Sequence, residues 1–437
     1  MDILTDMEKL SPFLLRSRAL EVGRDRLLQV RNKLLFVLVT EDIADNSLKK
    51  VLQQFNCPVF QCFLPKDIAH LFRYHGTKLV GFRRSDLCNK IMEMLEPYRL
   101  SCAEGGVLPV RRVPDHPKVA VLGVHGIGKY HAYWWNYEGA EVCAFLSSST
   151  ASVEKNTAML KNMFDFQGRG YASLDELLEK EKPDIIDVCL PDVLHYSAVK
   201  KALEAQCHVL CEKPFVFDDR LSDEEMTAEA EELVQLAAKN RVLLGISCQY
   251  AVAIRKCLSL RKDQTKNVRY FDGTLISPGR ALVYGDLTAW YDLGPHYIAA
   301  AQICAREGEL LPENMQVQLD DSGVIAKFTW ERPGKEQLFR GKITVGFQDN
   351  PPTNLRKLRL DDETFLMDGF HNKDGVFQMR ITEGARVMEC EDMMQLLIRS
   401  FLHNRLELPG NIAAKNLKLL LTARKKSENS NVDLKNR

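Results

Sequence analysis

The chain has 437 residues, enough for about two or three domains, and its 59 basic and 59 acidic side chains cancel. That balance excludes a global preference for nucleic acid or an acidic membrane surface, and no apolar run approaches the roughly 20 residues of a membrane span. Twelve cysteines scattered through apolar segments, behind an N-terminus without a basic-then-apolar leader, are expected of reduced thiols in a cytoplasmic protein.

LLFVLV (34–39) is a continuous apolar run, the pattern of a buried strand. DNSLKKVLQQF predicts a helix and PVFQCF (58–63) a second strand. PKDIAHLFRYHG predicts a short helix stopped by Gly76. KLVGF then predicts a strand, and SDLCNKIMEML a helix capped by Ser85. The alternation predicts a small α/β/α domain over 1–103. KLLFVLVTED (33–42), NCPVF (56–60), PKDIAHLF (65–72) and KLVGF give this domain a resemblance to the ribosomal-protein family that binds kink-turn RNA. The resemblance implies an RNA-reading stretch at GRDRLLQ, Gly23 to Gln29, where Arg26 replaces the family's acid and Gln29 its lysine. With 16 basic against 12 acidic residues, docking or dimerisation is the expected role of the domain, and RNA binding the alternative.

Residues 104–116, within AEGGVLPVRRVPDHP, predict a linker. The strand–helix rhythm then restarts with KVAVLG, GIGKYHAYWWN, EVCAFL, SLDELLEKEKPDIIDVCLP, HYSAVKKALEAQ, HVLCEKP, a long helix with a Ser222–Glu225 capping box, and VLLGIS. Short strands separated by helices predict a Rossmann-type, doubly wound parallel sheet over 117–247. Beyond it, GKITVGF and KLRLDDETFLMDG alternate apolar and polar residues, as in a large, open, mainly antiparallel sheet. An α+β domain for substrate binding and oligomerisation is expected over 248–425, with two late helices, and a disordered tail over 426–437.

Three features carry chemistry. GVHGIGKYH follows a strand, and Gly123, Gly126 and Gly128 space a turn that could cradle a phosphate. His125 stands where the dinucleotide fingerprint has its second glycine. HVLCEKPF places Lys213 at the end of a strand, and YDLGPHYI sets Asp292 four residues before His296, on one helix face. Each has a plainer reading: Lys213 as a solvated lysine, His296 as a structural histidine, Trp134 and Trp135 as packing. Cys207, His208 and Cys211 alternate along a strand, so Cys207 and Cys211 share a face but His208 lies opposite, and no metal site is expected.

The ordered set GVHGIGKYH, PDVLHYSAVKKAL, EKP and DLGPH resembles the glucose–fructose oxidoreductase and inositol dehydrogenase (Gfo/Idh/MocA) family from about 117 to 425. The resemblance implies catalysis by Lys213, Asp292 and His296, with His296 as acid/base for a hydroxyl proton. It implies cofactor contacts from Gly123, His125, Gly126, Ile127, Gly128, Ser147, Ser148, Pro191, His195, Glu212 and Lys213, and assembly into dimers or tetramers. NAD enzymes place an acid after the second strand; here Ser147-Ser-Ser-Thr150 stands there, with Lys155 nearby, which tilts the cofactor toward NADP over NAD. Gln249, Arg280, Trp290 and Tyr291 are candidates for the substrate wall. The leading expectation is an NAD(P)-dependent oxidoreductase of a polyol, sugar or related hydroxy/oxo compound. The alternatives are a non-catalytic dinucleotide sensor with a docking or RNA-binding module, and an imine or biosynthetic-intermediate reductase.

Overall fold

The computed structural model describes residues 3–435 apart from 18, 56, 96–97, 101–109, 265, 280–286, 306–308, 311–313, 321–322 and 332–337. Arg280 and residues 104–109 of the expected linker therefore lie outside the described residues. The chain divides into two compact units, Met1–Arg111 and Arg112–Arg437. No helix among the described residues is long and apolar enough to cross a membrane.

The first unit runs α1 (Ile3–Ser17), β1 (Leu20–Val22), α2 (Arg24–Gln29), β2 (Leu34–Val39), α3 (Asp45–Gln54), β3 (Val59–Gln61), α4 (Pro65–Phe72), β4 (Leu79–Arg83) and α5 (Asp86–Leu95). Its strands form one sheet in the order β1-β4-β2-β3, with β2 central and almost wholly buried. Phe36, on β2, stacks on Phe82 and meets Phe60 edge-on, which fixes one face of the sheet. α4 ends earlier than expected: Arg73 takes the left-handed conformation at its C-terminus, and Gly76 lies beyond it. Arg26 pairs with Glu21, which also holds Arg83.

The second unit opens with β5 (Lys118–Leu122), α6 (Gly128–Tyr137), β6 (Glu141–Leu146), α7 (Thr150–Phe164), β7 (Arg169–Tyr171), α8 (Leu174–Glu181), β8 (Ile185–Val188), α9 (His195–Glu204), β9 (His208–Glu212), α10 (Asp223–Asn240) and β10 (Leu244–Ser247). The strands make a six-stranded sheet in the order β10-β9-β8-β5-β6-β7, all of its pairs parallel. The order reverses between β5 and β8, the topological switch point where such sheets bind ligands at their carboxyl ends. α7 and β7 add to the expected rhythm.

The chain continues through α11 (Gln249–Leu260), β11 (Tyr270–Ser277), α12 (Thr288–Ala305), β12 (Glu309–Leu310), β13 (Gln316–Asp320), β14 (Gly323–Glu331), β15 (Phe339–Phe347), β16 (Leu355–Leu360), β17 (Glu363–His371), β18 (Phe377–Glu383), β19 (Arg386–Glu391), α13 (Met393–Leu402) and α14 (Gly410–Lys435). These nine strands form a second sheet, antiparallel except where β11 runs parallel to β15. α12 is apolar nearly all round because it is wedged between this sheet and the helices α11 and α14; Ala299, Ala300 and Ala301 are fully buried. The final helix continues to Lys435, through the stretch expected to be a disordered tail.

The capping box of α10 forms as expected: Ser222 accepts from the Glu225 amide, and the Glu225 carboxylate accepts from the Ser222 amide. Ser222→Ala is expected to cost about 1 kcal/mol of unfolding free energy, read as a lower denaturation midpoint at unchanged slope.

Candidate active site

The glycine turn after β5 is built for close backbone approach. Gly123 has φ +86, and a Cβ there would stand 2.7 Å from the Cys189 carbonyl. A Cβ on Gly128 would fall 1.9 Å from the Gly123 carbonyl, so α6 can start only with glycine at that place. Gly126 also has positive φ. Together they keep Cβ atoms off the amino end of α6 at three positions, where backbone N–H groups and the helix dipole favour an anion. His125 and Ile127 are exposed on this turn, while Val124 turns into the core.

After β6, the four hydroxyl residues divide. The Ser147 hydroxyl is buried and accepts from Asn156 Nδ2 at 2.8 Å, so it braces α7. Ser149 caps α7 by accepting from the Ser152 amide. Ser148 and Thr150 stay exposed, as does Lys155. No acid occupies the turn.

Pro191 and His195 follow β8. The His195 ring is buried between two backbone carbonyls, with Nδ1 2.8 Å from that of Pro214 and Nε2 2.9 Å from that of Leu190. It is a strut between the turn after β8 and the turn after β9. The latter turn carries Lys213, whose Nζ donates to Asp292 Oδ1 at 2.5 Å and to the Asp292 carbonyl at 2.8 Å. Both side chains are largely buried. His296 lies one helical turn beyond Asp292, half-buried, with its ring centre 5.3 Å from that of Tyr250.

Pro295 affects α12 there in two opposite ways. Pro295 has no N–H to give the Tyr291 carbonyl, which loosens the helix between Asp292 and His296. Its own carbonyl accepts from the buried Asn416 Nδ2 of α14 at 3.0 Å. Burial pushes the Tyr250 hydroxyl up to about 12, against the opposing charge of Arg356 on β16 beside it. Arg356 and Asn416 belong to the site's surroundings, and no local motif marks either.

The substrate wall expected from Trp290 and Tyr291 does not form. Trp290 is fully buried and donates through Nε1 to the Leu420 carbonyl, so it packs α12 on α14. Tyr291 is buried against Phe217, ring centres 4.4 Å apart. Gln249 is half-buried at the start of α11. Of the cysteine and histidine trio, Cys207 donates to the Pro183 carbonyl and His208 Nδ1 accepts from the Leu243 amide.

Beneath the glycine turn lies a polar cluster that sequence reasoning missed. His131 of α6 is fully buried, with Nδ1 2.8 Å from Asp187 Oδ2 and Nε2 3.1 Å from Glu212 Oε1. Trp135 donates to the same Asp187 oxygen at 2.5 Å, beyond the packing role expected of it. Burial works against a charged imidazole, but Asp187 and Cys189 beside it hold its pKa well above the usual histidine range. Burial would likewise raise Glu212, yet the bond and charge of His131, helped by Lys213, hold its carboxyl down at about 2. An acid inside the apolar strand IIDVC was the available signal.

Residues 117–247 match the profile of the GFO_IDH_MocA oxidoreductase family, described by its NAD-binding Rossmann fold. This segment is a Gfo/Idh/MocA NAD-binding domain. A Schizosaccharomyces pombe uncharacterized oxidoreductase is 42% identical over 76 residues, 17% of this chain and 18% of the relative. The D-glucoside 3-dehydrogenase of Escherichia coli is 35% identical over 107 residues, 22% of this chain and 27% of the relative. The matches thus span about a fifth and about a quarter of these curated relatives. An inositol dehydrogenase homolog from Azotobacter vinelandii, solved with NADH and myo-inositol, superposes with a TM-score of 0.54 at 14% identity, covering 73% of this chain and 97% of its own. At that identity the likeness is one of fold.

The buried acid of this Gfo/Idh/MocA domain has a pH signature. Glu212 is lowered from its ordinary 4.5 to about 2, so its stabilisation is present above pH 4.5 and lost as pH falls toward 2. His131 is raised, so its contribution is complete below 6.5 and lost only as pH climbs through the raised value. Glu212→Gln should therefore be less stable than wild type at pH 6, with the gap narrowing as pH falls from 5 to 3. Denaturant midpoints across that range check it.

Proposed function

We propose that the chain is an NAD(P)-dependent oxidoreductase acting on a polyol, a sugar or a related hydroxy or oxo compound. The observation that carries this reading is the meeting of Lys213 with Asp292, 2.5 Å apart, and the position of His296 one turn along the same helix. A dinucleotide fits the residues present. Gly123, Gly126 and Gly128 leave the amino end of α6 open to a pyrophosphate, and Pro191 after β8, Glu212 at the end of β9 and Lys213 just after it lie at the same edge of the sheet. A bound nicotinamide would accept or supply the hydride.

The protein's own groups manage the proton and the substrate oxygen. Lys213 has three N–H donors; Asp292 takes two, through its carboxylate and its carbonyl, and one remains for a substrate oxygen. The Asp292 carboxylate and carbonyl aim the ammonium. His296 accepts the hydroxyl proton when the substrate is oxidised and returns it on reduction, a task suited to a group that titrates near neutrality. The names of the relatives, a D-glucoside 3-dehydrogenase and an inositol dehydrogenase homolog, support a ring-borne secondary alcohol as substrate. Without an acid after β6, and with Ser148 and Thr150 exposed, the pocket admits a 2′-phosphate, so NADP is preferred over NAD. The exposed His125 imidazole is available to a phosphate oxygen. Assembly through the second sheet into a dimer or tetramer accompanies this reading.

Fluorescence titration of the full chain is expected to give tighter binding of NADPH than of NADH; no response to either at millimolar concentration would contradict the proposal. With a panel of D-glucosides and inositols, Lys213→Met and His296→Ala are each expected to lower kcat about 10²- to 10⁴-fold while nicotinamide fluorescence still reports binding. Unchanged turnover in both variants would contradict the assigned roles.

A further inference from the structure

We propose that His131 is a buried, doubly protonated imidazolium that positions Lys213 by tying Glu212 to Asp187 and to the nucleotide helix. The geometry demands the second proton. A neutral imidazole offers one N–H and one lone pair, whereas both ring nitrogens of His131 face carboxylate oxygens, at 2.8 Å and 3.1 Å. Asp187 already accepts from Trp135 on the oxygen that His131 reaches, so that carboxylate is an acceptor twice over. Glu212 is held ionised, so Nε2 donates to it, and the Asp187 oxygen that already accepts from Trp135 accepts the Nδ1 hydrogen as well.

The groups facing the ring come from every element packed around it. Asp187 and Cys189 come from β8 and the turn after it, and Glu212 from the last position of β9. Asp392, the cap of α13, is near enough to feel the ring's charge, and Lys213 feels that of Glu212. His131, Asp187 and Cys189 have their potential donor atoms within 4.8 Å of one another, yet both imidazole nitrogens are already engaged by carboxylates. A proton-bridged cluster, not a ligand set, accounts for the distances.

The consequence lies one residue along the chain. Glu212 is the last residue of β9 and Lys213 the first of the turn, so the direction in which the lysine leaves the sheet is set where Glu212 is held. The other end of the clamp is α6, whose first turn meets the proposed cofactor phosphates. One ring thus joins the phosphate end of the site to its reacting end. His131 touches neither substrate nor cofactor; it acts through Glu212. The effect on Lys213 rests on the proposed oxidoreductase reading, but the protonation state does not.

The test uses full-length protein labelled with ¹⁵N-histidine, and His131→Gln to assign the signal. Both ring nitrogens of His131 are expected to remain protonated from pH 6 to pH 8.5, with couplings to slowly exchanging protons. A ring that is neutral at pH 7 overturns the proposal, as does a stoichiometric metal ion found by elemental analysis of the purified protein. The positioning role is read separately, by the rate at which acetic anhydride labels Lys213 in the folded protein. His131→Gln is expected to raise that rate several-fold, and Trp135→Phe, which leaves the His131–Glu212 contact in place, less so. Equal labelling in the folded wild type and His131→Gln overturns the positioning role whether or not the chain turns over any substrate.

Discussion

Two carboxylates, Asp187 and Glu212, are buried at the carboxyl ends of adjacent parallel strands, and the rest of the site depends on how that burial is tolerated. An isolated ionised carboxylate in such a place would be strongly unfavourable. Here one imidazole lies between the two, and an indole N–H adds a further donor to Asp187. Removing the imidazole would leave buried charge without its partner, which costs more than the pair contributes when intact. The cluster therefore ties α6, β8 and β9 together at this edge of the sheet.

From this cluster the proposed site extends in two directions, toward the end proposed for the cofactor phosphates and the end proposed for the reacting substrate. Toward the phosphate end, Gly123 and Gly128 bring the turn and the start of α6 against Cys189, closer than any side chain would allow. Toward the reacting end, Lys213 leaves β9 and meets α12, a helix loosened by Pro295 and pinned through that residue's carbonyl to Asn416. The parallel sheet supplies the lysine, and the second, mainly antiparallel sheet supplies the surface on which α12 lies. In the proposed reading, fold and chemistry meet in the ion pair of Lys213 with Asp292.

Much of this was legible in the amino-acid order. Apolar runs such as LLFVLV and EVCAFL became strands over the expected residues, and Ser85 and Ser222 cap the helices they precede. The spacing of Asp292 and His296 on one helix was legible as well. What was missed had physical causes. β7 is only Arg-Gly-Tyr and has no periodicity to read; α7 has no clear apolar stripe and buries only Asn156 and Leu160. α4 ends at Arg73, because a left-handed residue need not be glycine when the fold holds it. Trp290 and Tyr291 seemed fit for a substrate, but a helix wedged between a sheet and other helices buries its aromatic residues on every side. The His131 cluster joins residues 56 and 81 positions apart, and no local window contains it.

The most direct test of the central claim is to follow the hydride itself. Full-length protein would be incubated with C4-deuterated NADPH and a 3-keto-glucoside, and the sugar product analysed by mass spectrometry. The account predicts one deuterium on carbon in each product molecule from the wild type, and transfer at least 100-fold slower from Lys213→Met. Wild-type protein that binds NADPH yet transfers no deuterium to any cyclic keto-sugar or keto-inositol would contradict it.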